Sequence, residues 1–100
     1  MEPLAEFNPA ARDEFDEAFD WYAKRSRQAA VGFAMAVDAT IDAILESPGQ
    51  FAMTLAGCRF ARTKRYPYLI IFRNSPRGVV VIAVAHSRRR PGYWRSRIEE

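Results

Sequence analysis

The stretch AHSRRRPGYW, residues 85–94, places the chain's only histidine, His86, beside Arg88, Arg89 and Arg90 and just ahead of Tyr93 and Trp94. These residue types suffice for one metal-free reaction, cleavage of RNA by its own 2′-hydroxyl. That reaction needs a base for the nucleophile, an acid for the leaving oxygen, and cations around the charge that develops on phosphorus. His86 and Tyr93 are the candidate proton carriers, and Arg62, Arg73, Arg88, Arg89 and Arg90 are the candidate phosphate ligands. Tyr66, Tyr68 and Tyr93 offer rings on which unpaired bases could stack. The same inventory also fits a surface that binds an anion or nucleic acid and does no chemistry. A lone histidine is more often structural than catalytic, and Trp94 reads as a plug for the edge of the core.

Other chemistry is poorly provided for. Cys58 is the single cysteine, which excludes an intrachain disulfide and a cysteine-based zinc site and makes a buried thiol the simpler expectation. A metal would have to rest mainly on carboxylates that lie far from His86 in sequence, so neither metal nor cofactor is expected. Charge is divided along the chain. Residues 1–50 hold four Lys/Arg against ten Asp/Glu, whereas residues 51–100 hold eleven Lys/Arg against Glu99 and Glu100 alone. A basic half that is also rich in aromatics favours an anionic partner, either nucleic acid or an acidic protein segment. No apolar run is read as long enough to cross a bilayer and the N-terminus does not look like a signal peptide, so no membrane partner and a cytoplasmic location are expected.

The elements that position these residues follow from periodicity. With 100 residues, 49% of them hydrophobic, the chain can build one core and is expected to form a single domain over 1–100. Residues 4–7 read as a short edge strand. Asn8-Pro9 then opens a helix from about 9 to 24, because Asn caps free amides and Pro fits the first turn. Phe15, Ala18, Phe19 and Tyr22 form its apolar stripe, and Asp13 and Glu14 are assigned to the positive end of the helix dipole. Ala30, Phe33, Ala34, Val37, Ile41, Ile44 and Leu45 mark a second helix that stops at Ser47-Pro48-Gly49, and the two should form an antiparallel hairpin. After a loop from about 50 to 57 the period becomes that of strands. CRFARTK, YLIIFR and GVVVIAVAH read as a three-stranded meander with a turn at NSPRG. The fold class is therefore α+β, an N-terminal helical hairpin packed on a small, mainly antiparallel sheet.

Taken together, the hairpin, the run from Arg59 through RYPYLIIFR, and VVVIAVAHSRRRPGYW resemble the RelE/ParE superfamily of type II toxins, especially its plasmid-stabilisation branch. The resemblance covers nearly the whole chain from Phe7, and its most specific part is residues 66–94. It implies a toxin neutralised by a cognate antitoxin whose flexible C-terminal segment folds across it, in a complex that often represses its own operon. RelE-like members are ribosome-dependent mRNA endoribonucleases, whereas ParE-like members poison DNA gyrase. Tyr93 matches the C-terminal catalytic tyrosine of the RelE-like enzymes. Leu69 and Ser87, however, stand where those enzymes carry arginines. The resemblance thus implies a ParE-like toxin acting on gyrase, with a ribonuclease acting on ribosome-bound mRNA as the alternative.

Overall fold

A computed structural model of the chain describes residues 4–98. Strand β1 (Leu4–Phe7) leads into helix α1 (Pro9–Ala23), and helix α2 (Arg27–Glu46) follows after a short connection. Strands β2 (Arg59–Arg62), β3 (Tyr68–Ser75) and β4 (Gly78–His86) complete one sheet of order β1-β4-β3-β2. β1 runs parallel to β4, and the other neighbours are antiparallel. The expected α+β architecture is present, with β1 making the sheet mixed.

The helix starts are set by side chains. Asn8 accepts the Ala10 N–H at 2.9 Å, and Ser26 accepts the Ala29 N–H at 3.2 Å at the head of α2. Asp13 and Glu14 lie beyond the first turn of α1, so the helix dipole is not what places them. α2 is 20 residues long and contains an 18-residue stretch with a mean hydropathy of 1.4, long and apolar enough by length and composition to span a bilayer, contrary to the sequence reading. Its stripe of Ala30, Phe33, Val37, Ile41 and Ile44 is buried in the domain, where it meets Ile70 and Phe72 of β3 and Val79, Val81 and Val84 of β4. Asp38 and Asp42 face outward.

β4 is apolar throughout because both its faces are covered. Opposite β3 the register skips Ile82: Phe72 pairs with Val81 and Ile71 with Ala83. This bulge changes the alternation, so Val81 and Val84 face the helices while Ile82, Ala83 and Ala85 join a second cluster on the opposite face. That cluster contains Cys58 and Ile71 and is closed by Trp94, which is 3% exposed. Gly92 makes the closure possible. It has a φ of 81°, and a β-carbon there would press to 2.8 Å from Leu55.

Two further details differ from the sequence reading. β2 ends at Arg62, because the Thr63 hydroxyl turns to donate to the carbonyls of Tyr66 and Tyr68 at 2.8 and 3.1 Å and Arg65 takes a positive φ of 72°. The segment read as a loop before it holds two single 3₁₀ turns, Pro48–Gln50 and Leu55–Gly57, too short to leave a periodic signature.

Candidate functional site

The cluster on the helix-free face of the sheet leaves a cavity of about 220 Å³ between β2, the ends of β3 and β4, and the segment after His86. Its floor is apolar, formed by Phe60, Leu69, Ile71 and Ala85. Around it stand Arg62 from β2, His86 from the end of β4, and Arg89, Arg90 and Tyr93 from the following turns. Five of the seven residues singled out from the sequence are thus brought together. Arg88 does not line the cavity. Arg73 lies four residues along β3 from Leu69, roughly 13 Å at the rise of an extended strand, and its charge acts instead on Cys58.

The turns at 87–94 are tightly specified. The Arg89 N–H donates to the His86 carbonyl at 2.9 Å, the Tyr93 N–H to the Arg90 carbonyl at 3.2 Å, and the Ser87 N–H to the Pro67 carbonyl at 2.8 Å. His86 Nδ1 accepts the Arg88 N–H at 3.1 Å. In the neutral ring this places the proton on Nε2, so the imidazole retains no free lone pair. Its ring also packs edge-on against Tyr68, 5.2 Å between centroids.

Tyr93 is committed as well. Its hydroxyl donates to Glu14 Oε2 at 2.6 Å. The same carboxylate accepts both outer nitrogens of Arg97, each at 2.9 Å, and the Val84 N–H at 3.0 Å. Arg97 also donates to the Ile82 carbonyl at 3.0 Å. Burial alone would raise the Glu14 carboxyl, but the hydrogen bonds from Arg97, Tyr93 and the Val84 amide outweigh it and hold the group below the usual carboxylate range. Burial, and then the hydrogen bond to Glu14, push the Tyr93 phenol far above its ordinary value. The Arg97 guanidinium is raised, chiefly by its own hydrogen bonds to Glu14. The Arg89 guanidinium carbon lies 3.8 Å from the centre of the Tyr93 ring, a close cation–π contact.

The sequence reading missed Glu14 and Arg97. A signal for Glu14 existed: it stands three residues after Ala11 and four before Ala18, both buried, so it falls on the apolar stripe of α1. Arg97 gave none. The stacking role given to Tyr66 and Tyr68 does not fit their surroundings. Tyr66 packs against Tyr22 and Phe33 and donates its hydroxyl to the Ala29 carbonyl at 3.2 Å, while Tyr68 packs against Phe33.

On the other side of β2 a wider groove, about 670 Å³, runs between that strand and α2. Gly32, Ala36, Ala39 and Ala43 give α2 a low wall there, Phe51 and Ala61 add to the apolar lining, and Arg62, Lys64 and Arg65 stand along the rim. Arg62 lines both the groove and the cavity. Among the described residues no group of three His, Cys, Asp or Glu side chains is arranged to hold a metal ion.

Over residues 5–91 the sequence matches the family described as ParE toxin of type II toxin-antitoxin system, parDE. Among solved structures, one titled "Chromosomal ParDE TA system from P. aeruginosa" superimposes with a TM-score of 0.73 at 15% identity, covering 85% of this chain and 96% of that one. At that identity the likeness is one of fold. No curated protein matches the sequence.

Proposed function

The chain belongs to the ParE toxin family of type II toxin-antitoxin systems, and from that premise we propose that it acts in the cytoplasm by binding DNA gyrase, without catalysis, through the basic cavity and its rim. The observation that carries this reading is the commitment of both proton carriers. The Tyr93 phenol is tied to a carboxylate, and His86 Nδ1 is occupied by a backbone amide. A base needs a free lone pair and an acid needs a releasable proton. Arg62, Arg89 and Arg90, by contrast, are exposed around an open cavity and can attract an anionic surface without transferring protons.

The antitoxin partner is proposed to occupy the groove between α2 and β2. Its small-residue wall and apolar lining suit one face of an amphipathic helix, and Arg62, Lys64 and Arg65 suit acidic residues beside that face. Ordering a flexible acidic segment there costs entropy, which the buried apolar contacts offset.

The test titrates purified protein into gyrase supercoiling of relaxed plasmid and, in parallel, into translation of a defined mRNA read by primer extension. Loss of supercoiling with intact mRNA is expected, and Arg89→Ala should weaken it. Normal supercoiling with codon-positioned mRNA cuts would replace this reading with ribosome-dependent RNA cleavage.

A further inference from the structure

We infer that Glu14, on α1, is a positioning residue for Arg89: its carboxylate fixes the Tyr93 side chain, and the Tyr93 ring holds the Arg89 guanidinium at the basic cavity. The inference rests on the reading of that cavity as an anion site and adds a residue that does not line it.

The chain of contacts is continuous. Glu14 sits among the apolar residues of α1, and its side chain is only 13% exposed. All the hydrogen bonds it accepts come from β4 or from the segment after it, and none comes from its own helix. Val84 fixes the carboxylate against the strand, and Arg97 grips both of its oxygens. The remaining direction on Oε2 goes to the Tyr93 hydroxyl at 2.6 Å, which sets how the phenol ring is turned. Arg89 itself makes no ion pair among the described residues. Its guanidinium is held by the ring face at 3.8 Å. A long exposed side chain otherwise samples many rotamers, and ordering it in advance strengthens whatever it binds.

Glu14→Gln is the discriminating change. The amide preserves shape and can still accept from Val84, but its NH₂ group then faces an Arg97 nitrogen that can only donate. It meets the Tyr93 hydroxyl only if that hydroxyl turns to accept, so the charge-assisted tether is lost. Tyr93→Phe keeps the ring and removes only its tether. The readout is the side-chain Nε–H signal of Arg89 in ¹⁵N NMR, assigned by its loss in Arg89→Ala and displaced in the wild type by the ring current of Tyr93. Pyrophosphate titration is carried out on the same samples. Glu14→Gln and Tyr93→Phe should both return the Arg89 signal towards that of a free arginine. Ile44→Val, a loosening of the helix-side core, should leave it in place. Arg89→Ala should weaken pyrophosphate binding about tenfold. Glu14→Gln should weaken it less, and adding it to Arg89→Ala should have no further effect.

An Arg89 signal unmoved in both Glu14→Gln and Tyr93→Phe overturns the inference, as does an additive double mutant. If Arg89→Ala leaves pyrophosphate binding unchanged, the anion-site reading fails, and the signal still decides whether Glu14 positions Arg89. Should Glu14→Gln fail to fold, Tyr93→Phe carries the same test.

Discussion

Replacing Trp94 by alanine should cost more stability than any other single truncation on the helix-free face of the sheet. Its indole is 3% exposed and closes a cluster made of Cys58, Ile71, Ile82, Ala83 and Ala85, with Phe60 and Leu69 beside it. Several of these neighbours are small or fixed in strands, so they cannot collapse into the space the indole leaves. A buried Trp→Ala change then costs ~3–5 kcal/mol, transfer and cavity terms together. In a domain of this size each kcal/mol lowers the melting temperature by roughly 4–8 °C, so the fall should be about 12–40 °C. Urea unfolding followed by far-UV circular dichroism measures the loss, with an unchanged slope showing that the same surface is exposed. The chain provides its own control in its second tryptophan, Trp21, which is 51% exposed with the Arg25 guanidinium 3.5 Å from its ring centre. Trp21→Ala should cost no more than about 1 kcal/mol, mostly the cation–π contact. In Trp94→Ala the remaining emission should be that of a solvated indole, readily quenched by iodide. A loss below about 1 kcal/mol for Trp94→Ala would refute the claim that this indole closes a second core.

Acid should destabilise the fold through Glu14. Its folded pKa lies below the ordinary carboxyl value of 4.5, so the stabilisation it gives is present above pH 4.5 and is lost as pH falls through the lower folded value; urea midpoints across that range should drop, less steeply in Glu14→Gln. Gly32→Ala should displace Tyr66, because a β-carbon at Gly32 collides with the phenol oxygen that donates to the Ala29 carbonyl; the melting temperature should fall and the antitoxin should bind more weakly in calorimetry. Cys58 is fully buried and its thiol is raised by burial, only partly offset by Arg73, so a disulfide reagent at pH 8 should modify it at the rate of unfolding; immediate reaction in native buffer would contradict the packing.

Periodic features were legible in the sequence and contacts between distant elements were not. Asn8-Pro9 and Ser47-Pro48 marked helix limits to within a few residues because capping is local chemistry. The alternation of Cys58, Phe60 and Arg62 against Arg59, Ala61 and Thr63 was readable, and the two faces join different clusters, Ala61 on the helix side and Cys58 and Phe60 on the other. The parallel partner of β1 was not, because pairing Leu4 with Gly78 is decided by the whole sheet. In the candidate site, residues adjacent in sequence such as His86, Arg89, Arg90 and Tyr93 were found, and Arg62 was added as a basic residue of a neighbouring strand. Glu14 was assigned to the helix dipole, because no local rule says that a carboxylate on α1 will meet Arg97. The roles of His86 and Tyr93 changed for the same reason: residue type suggests proton transfer, and only the neighbouring donors and acceptors decide it.

The position of β4 between β1 and β3 bears on how the molecule comes into being. β1, the first of the described elements to be made, must wait for β4 before its backbone partner exists, and Glu14 waits longer still for Arg97. The hairpin of α1 and α2 needs only local contacts to form, yet its apolar stripe has no sheet to cover it until β3 and β4 have left the ribosome. Contacts of such long sequence separation slow folding, because the ends of a long loop must meet before the contact rewards them. The groove beside α2 is lined by residues 32–66, whereas the basic cavity needs residues up to Trp94. During synthesis the residues that would receive an antitoxin are therefore all present before those that complete the basic cavity.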